Sequence, residues 1–131
     1  MKIVVGFIKT AEGTAALERA IEEARLRGAE LLVVHSSRGS EPLEEVLIYR
    51  DELEKVDRQL VEAGIPHSIH ELARGNSPSQ DLVQVASEEA AEIIVIGLRR
   101  RSPLGKTFLG SNAQGILLDA DCPVLAVKAS E

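Results

Sequence analysis

The sequence predicts an α/β domain over residues 1–131: a single doubly wound, mostly parallel five-stranded sheet with helices on both faces. Two observations carry that expectation. Short, continuous, β-branched apolar runs recur along the chain, and a longer stretch with helical spacing separates each run from the next. Runs that do not alternate apolar with polar suit strands buried on both faces, as in a parallel sheet covered by its own crossover helices. A length of 131 residues fits one domain, and 44% apolar residues are enough for a core.

The elements follow in order. Ile3-Val4-Val5-Gly6-Phe7-Ile8 reads as the first strand, and Ala16, Leu17, Ala20, Ile21 and Ala24 as the apolar stripe of a first helix stopped by Gly28. Leu31-Leu32-Val33-Val34 is the second strand. Leu43, Val46, Leu47, Leu53, Val56 and Leu60 form a second stripe that ends at Gly64. Ile65–Leu72 carries His67, Ser68 and His70, which predicts a weaker strand at a sheet edge. The third helix has a sharp start, with Ser77 as N-cap, Pro78 at its first position and Gln80 as capping-box partner. Ile93–Gly97 is the fourth strand. Ser111 with Gln114 three residues on predicts a second capping box, opening a helix through Ile116-Leu117-Leu118, and Val124–Val127 is the last strand. In such sheets ligands bind beyond the carboxyl ends of the strands where the strand order reverses. Those ends fall near Ile8-Lys9-Thr10, His35-Ser36 and Gly97-Leu98.

Charge and composition exclude several classes. Fifteen basic against 21 acidic residues give a net charge of -6, which disfavours nucleic acid as the partner. A small anionic ligand needs only a local positive site. Cys122 is the only cysteine, so neither an intrachain disulfide nor a Cys-rich zinc site forms. No run approaches the ~18 apolar residues of a membrane span, and the opening is too short for a signal-peptide core, so the expected compartment is the cytoplasm. Two Phe, one Tyr and no Trp leave no aromatic platform for stacking bases.

The most informative segment runs from Ile96 to Ser111: it leaves a buried strand, forms a basic loop rich in Gly and ends at a helix N-terminus. Gly110, Ser111 and Asn112 at that terminus present unpaired N–H groups and the positive end of the helix dipole, a seat for phosphate. Arg99, Arg100, Arg101 and Lys106 add positive charge there; the plainer reading is a surface loop whose arginines pair with nearby carboxylates. Arg100 to Thr107 imitates a Walker A motif whose first Gly is Arg. A true P-loop opens its helix at the Lys-Ser/Thr pair, whereas here Pro103 removes a donor and the helix starts at Ser111.

At this point the chain resembles the universal stress protein family. That family shows, after its fourth strand, Gly, two residues, Gly, nine residues and then Gly-Ser; here stand Gly97, Arg100 and Gly110-Ser111 at those spacings. Pro123 to Lys128 is similar to the family's last strand, and Lys2–Phe7 with the Ala-rich helix to its beginning. The resemblance implies a Rossmann-like fold of the adenine nucleotide alpha-hydrolase type and a stress-response or signalling role. It further implies ATP or a related adenine nucleotide, with Mg, as ligand. Phosphates and ribose would fall to Gly97, Gly110 and Ser111, with Asn112, Arg99 and Arg100 beside them. The base is expected near Lys9, Thr10 and the backbone at Val34. A homodimer paired through Val124, Leu125, Ala126 and Val127 is implied as well, and the apolar edge agrees, since such edges are usually paired or covered.

Two positions depart from the family pattern. Arg100 stands where the binding branch has Gly, and Ile8 where it carries an acidic residue. A nucleotide-free interaction module of the same fold, docking an acidic protein partner on Arg99–Arg101, therefore stays open, as does a flavodoxin-like enzyme using another phosphate-bearing cofactor. No catalytic constellation emerges: Ser111 lacks a His-Asp pair, and Asp119 and Asp121 lie at the far end of a helix from the motif. His35 reads as a hydrogen-bonded structural histidine, His67 and His70 as edge-strand polar residues with no shared metal, and Cys122 as a buried inert thiol.

Overall fold

Neighbouring residues on the central strands turn to opposite sides, and both sides are apolar. Ile3 and Val5 of β1 (Lys2–Gly6) join Leu31 and Val33 of β2 (Glu30–Ser37) and Ile93 and Val95 of β4 (Ile93–Leu98) in one buried cluster. Val4, Leu32, Val34, Ile94 and Ile96 turn the other way into a second cluster. Two apolar faces require two covering layers. Helices α1 (Ala11–Arg27) and α2 (Leu43–Glu62) close the first, and α3 (Pro78–Glu88) and α4 (Ser111–Asp119) the second. Each fully buried aliphatic side chain contributes about 2 kcal/mol to that arrangement. The computed structural model describes residues 1–99 and 109–129.

The sheet has five strands in the order β3-β2-β1-β4-β5, where β3 is His67–Ala73 and β5 is Val124–Lys128. All four pairings are parallel. The expected doubly wound architecture is present, and the polar third strand lies at an edge. The central strands are the wholly buried ones, because each gains a neighbour on both sides and a helix on both faces. Among the described residues no helix is long and apolar enough to cross a membrane.

Local signals explain the element ends. Ser77 accepts a hydrogen bond from the Gln80 N–H while the Gln80 side chain takes the Ser77 N–H, so the capping box of α3 forms as the spacing predicts. Gly28 closes α1 at φ 61°, a left-handed conformation open to glycine at low cost.

Three expectations need correction. The first strand ends at Gly6 rather than Ile8, because the chain leaves the carboxyl end of the sheet after Phe7, whose N–H still reaches the Val34 carbonyl at 2.8 Å. The second capping box is absent: Gly110 is the N-cap, Ser111 is already helical, and the Gln114 amide donates to the Leu109 carbonyl at 2.9 Å. The second apolar stripe is buried only in its later half. Leu53, Val56 and Leu60 pack on the sheet, while Leu43 and Leu47 are exposed because the start of α2 stands over a cavity instead.

Candidate functional site at the strand-order reversal

The chain winds outward from β1 to β3 and then returns to the other side of β1 with β4, so the crossover direction reverses between β1 and β4. Crevices form at such points because the two connections leave the sheet toward opposite faces. A cavity of about 140 Å³ opens here, on the α3/α4 face. Gly6, Phe7 and Ile8 line it from the first strand's end, Val34 and Ser36 from β2, and Ile96 and Gly97 from β4. Its floor is mostly aliphatic, with Leu82 and Ile116 completing it from the helices; Asn112 and Glu12 bring polar groups to the wall.

Close packing fixes two of the wall positions. An ideal Cβ on Gly97 would lie 2.1 Å from the Glu12 carbonyl oxygen, so the start of α1 rests directly on the β4 backbone. A Cβ on Gly13 would lie 1.8 Å from the Ile8 carbonyl oxygen. Thr10 brings these segments together by capping α1, its Oγ1 accepting the Gly13 N–H at 3.1 Å. Gly97 thus has a packing reason to be glycine. Gly110 does not: at φ -67° an added Cβ meets no described residue within 4 Å.

The remaining site residues fall into two groups. Val34, Gly97 and Asn112 share the cavity wall, and Gly110, Ser111 and Asn112 form the adjoining start of α4, where no side chain among the described residues caps the helix. Lys9 and Thr10 lie off the wall. The Lys9 backbone N–H donates to the Tyr49 hydroxyl at 3.1 Å and its ammonium pairs with Glu52 at 3.7 Å, while Thr10 is the helix cap. The exposed Arg99 Nε–H donates to Glu12 Oε2 at 3.4 Å, which is the carboxylate pairing expected of a surface arginine. Arg100, with the rest of segment 100–108, lies outside the described residues.

Glu12 is the charged wall residue that spacing alone did not single out. Its partial burial raises the carboxyl pKa, but its own backbone N–H, the Thr10 hydroxyl and the Arg99 guanidinium outweigh that and hold it below the ordinary range. It is a charged carboxylate at neutral pH. The signal was an acidic residue in the first turn of a capped helix, a common placement that carries no site information by itself.

Three further groups frame the site. Asp81 is fully buried; its Oδ2 accepts the Ser36 hydroxyl at 2.5 Å, and its Oδ1 accepts Arg74 at 2.7 Å and Asn76 at 3.1 Å. His35 is buried as a structural histidine, its Nδ1 3.1 Å from the Phe7 carbonyl oxygen and its ring stacked on Tyr49 at 3.8 Å. His67 bonds Asp57 and the Ile65 carbonyl, and His70 bonds Ser68. Cys122 is half-buried rather than buried. Burial, then the nearby Asp121 carboxylate, push its thiol up, away from the reactive thiolate. Among the described residues no three His, Cys, Asp or Glu side chains converge to hold a metal ion.

Comparison with known proteins agrees with this fold. The model of the universal stress protein family matches residues 1–128. The chain is 38% identical over 126 residues to a universal stress protein of Mycolicibacterium smegmatis, covering 96% of each. A universal stress protein structure from Archaeoglobus fulgidus superposes with a TM-score of 0.85 at 38% identity, covering 98% of both chains. Another from that organism, in complex with dAMP, gives 0.79 at 34% identity, again over 98% of both.

Proposed function

Because this chain belongs to the universal stress protein family, we propose that it is a nucleotide-responsive module of stress response or signalling that binds ATP or a related adenine nucleotide and catalyses nothing. The carrying observation is the cavity at the strand-order reversal, open beside the start of α4, where Gly110 is the N-cap and no described side chain caps the helix. Its aliphatic floor suits a flat base, and the first-turn N–H groups of Ser111 and Asn112 suit phosphate. A relative at 34% identity was solved with dAMP, which supports an adenine nucleotide as the ligand class. Glu12 offers the ribose a carboxylate acceptor that Ile8 does not.

Calorimetric titration of nucleotide-stripped protein with MgATP and with AMP tests this reading. Saturable binding is expected, lost in Gly110→Val, whose added Cβ meets no described residue within 4 Å. Glu12→Gln should weaken binding by about tenfold, the worth of one charge-assisted hydrogen bond. Arg100→Gly, run in parallel, separates the two effects of that residue: a gain means the arginine crowds the site, a loss that it contacts phosphate. No binding by either protein would move the reading to a nucleotide-free docking module, which Ile8 in the cavity wall favours.

The same proposal includes a homodimer paired through β5. That strand is bonded to β4 on one side only, and Val124, Leu125 and Val127 remain partly exposed along it. Leu125→Lys, on the half-exposed edge, is expected to give monomers in sedimentation velocity; an unchanged dimer would remove β5 from the interface.

A further inference from the structure

We propose that a second cavity, on the α1/α2 face beyond the ends of β2 and β3, binds a small organic cation bearing an ammonium or guanidinium group. The cavity holds about 320 Å³ and is separate in character from the one at the strand-order reversal. It exists because α2 packs on the sheet through Leu53, Val56 and Leu60, with Tyr49 half-buried beside them, leaving its first turn standing off the strand ends. A volume of that size suits a small ligand.

The wall offers acceptors and few free donors. His35, only 7% exposed, lines the cavity. Its Nδ1 faces the Phe7 carbonyl, which can only accept, so Nδ1 carries the proton of the neutral ring and Nε2 presents a lone pair. No described residue takes that lone pair. No buried side-chain nitrogen or oxygen among the described residues lacks a partner, so this unpaired nitrogen of an otherwise buried ring keeps access to the cavity it lines and can accept a donor from a ligand. The serine hydroxyls of the wall are already committed, Ser36 donating to Asp81 and Ser37 to the Leu72 carbonyl.

Charge then decides the ligand class. Among the described residues, Glu41, Glu45 and Glu71 line the cavity with one cation, Arg50, which lies 3.8 Å from Glu71. The Glu41 carboxylate accepts the N–H groups of Arg38 at 3.0 Å and Gly39 at 2.9 Å, bonds that hold it below the ordinary carboxylate range. Glu45 is exposed and without a partner among the described residues. A phosphate would meet three carboxylates against one guanidinium; a donor-rich cation meets a wall that stays net negative after Arg50 is counted, and the imidazole lone pair. Tyr49, stacked on His35, and Val46 give its carbon chain an apolar side.

The test is titration of the full chain with agmatine, which carries both a guanidinium and an ammonium, against the uncharged butane-1,4-diol, followed by amide chemical shifts. Agmatine should shift Gly39, Val46 and Tyr49 saturably, with the diol inert. Glu45→Gln, a surface change that leaves the fold alone, should weaken agmatine by about fivefold, the worth of one partly screened charge. Val46→Trp, filling the cavity, should abolish those shifts while the spectrum stays folded. Equal binding of agmatine and the diol, an unchanged Glu45→Gln affinity, or shifts confined to Gly13, Gly97 and Ala113 would each overturn the proposal. None of these outcomes depends on nucleotide binding at the other cavity.

Discussion

Gly97→Ala is expected to lower folding stability by about 3 kcal/mol or more, seen as an earlier urea midpoint with little change in slope. The methyl group would lie 2.1 Å from the Glu12 carbonyl oxygen and 2.6 Å from its carbon, and these are backbone atoms at the start of a packed helix. They move only if α1 lifts from β4, and α1 carries Ala16, Leu17, Ala20 and Ile21 into the core. Gly13→Ala, with its Cβ 1.8 Å from the Ile8 carbonyl oxygen, belongs to the same class and should be at least as severe. A small effect from either change would mean that α1 and β4 have room to separate. The result also bears on the motif: lost nucleotide binding in a Gly97 variant would report a displaced helix, whereas Gly110→Val reports on the ligand.

Asp81→Ala is the second large effect expected, about 2–3 kcal/mol at neutral pH, because three donors lose one buried acceptor together. The cost stays below that of a wholly buried pair since Arg74 keeps part of its guanidinium in water. Burial raises the Asp81 pKa, but Ser36, Arg74 and Asn76 outweigh it and hold the carboxyl below its ordinary value. A carboxyl depressed in the folded state contributes stability above its unfolded pKa of about 3.9 and loses it as pH falls through the folded value. The gap between wild type and Asp81→Ala should therefore be widest at neutral pH and shrink below about pH 4. A gap constant with pH would mean that Asp81 acts through shape alone. Ser36 links this network to both cavities, since it lines each of them and donates to Asp81.

Most of the architecture was legible because it rests on local patterns. Unalternating runs such as Ile93–Ile96 marked double-faced burial, and Ser77-Pro78-Gln80 fixed the start of α3 to the residue. What failed shows where pattern stops. Ser111 and Gln114 have capping-box spacing, yet Gly110 takes the cap in extended backbone, because spacing does not say where the helical dihedrals begin. Leu43 and Leu47 continue the periodicity of α2, but periodicity cannot know where the sheet beneath a helix ends. Of the cavity wall, Gly97 and Asn112 are named by the motif and Val34 by the family resemblance. Glu12 was not, because its place in the wall depends on α1 meeting β4, a contact between residues far apart in sequence. Lys9 and Thr10 were drawn toward the site by strand-end reasoning, although one is tied to α2 and the other caps α1.

The position of β1 has a consequence for how the molecule is made. The earliest strand of the chain is the middle of the finished sheet, and Ile3 finds Ile93 only after three helices and two further strands have been synthesised. Until then the β1-α1-β2 unit holds an apolar, unpaired edge in the growing polypeptide. Long-range parallel pairing of this kind slows folding, and an exposed edge of Ile3, Val4 and Val5 is the sort that recruits another chain. The interval between synthesis of β2 and arrival of β4 is accordingly when a nascent copy is most exposed to misassembly and most in need of a chaperone.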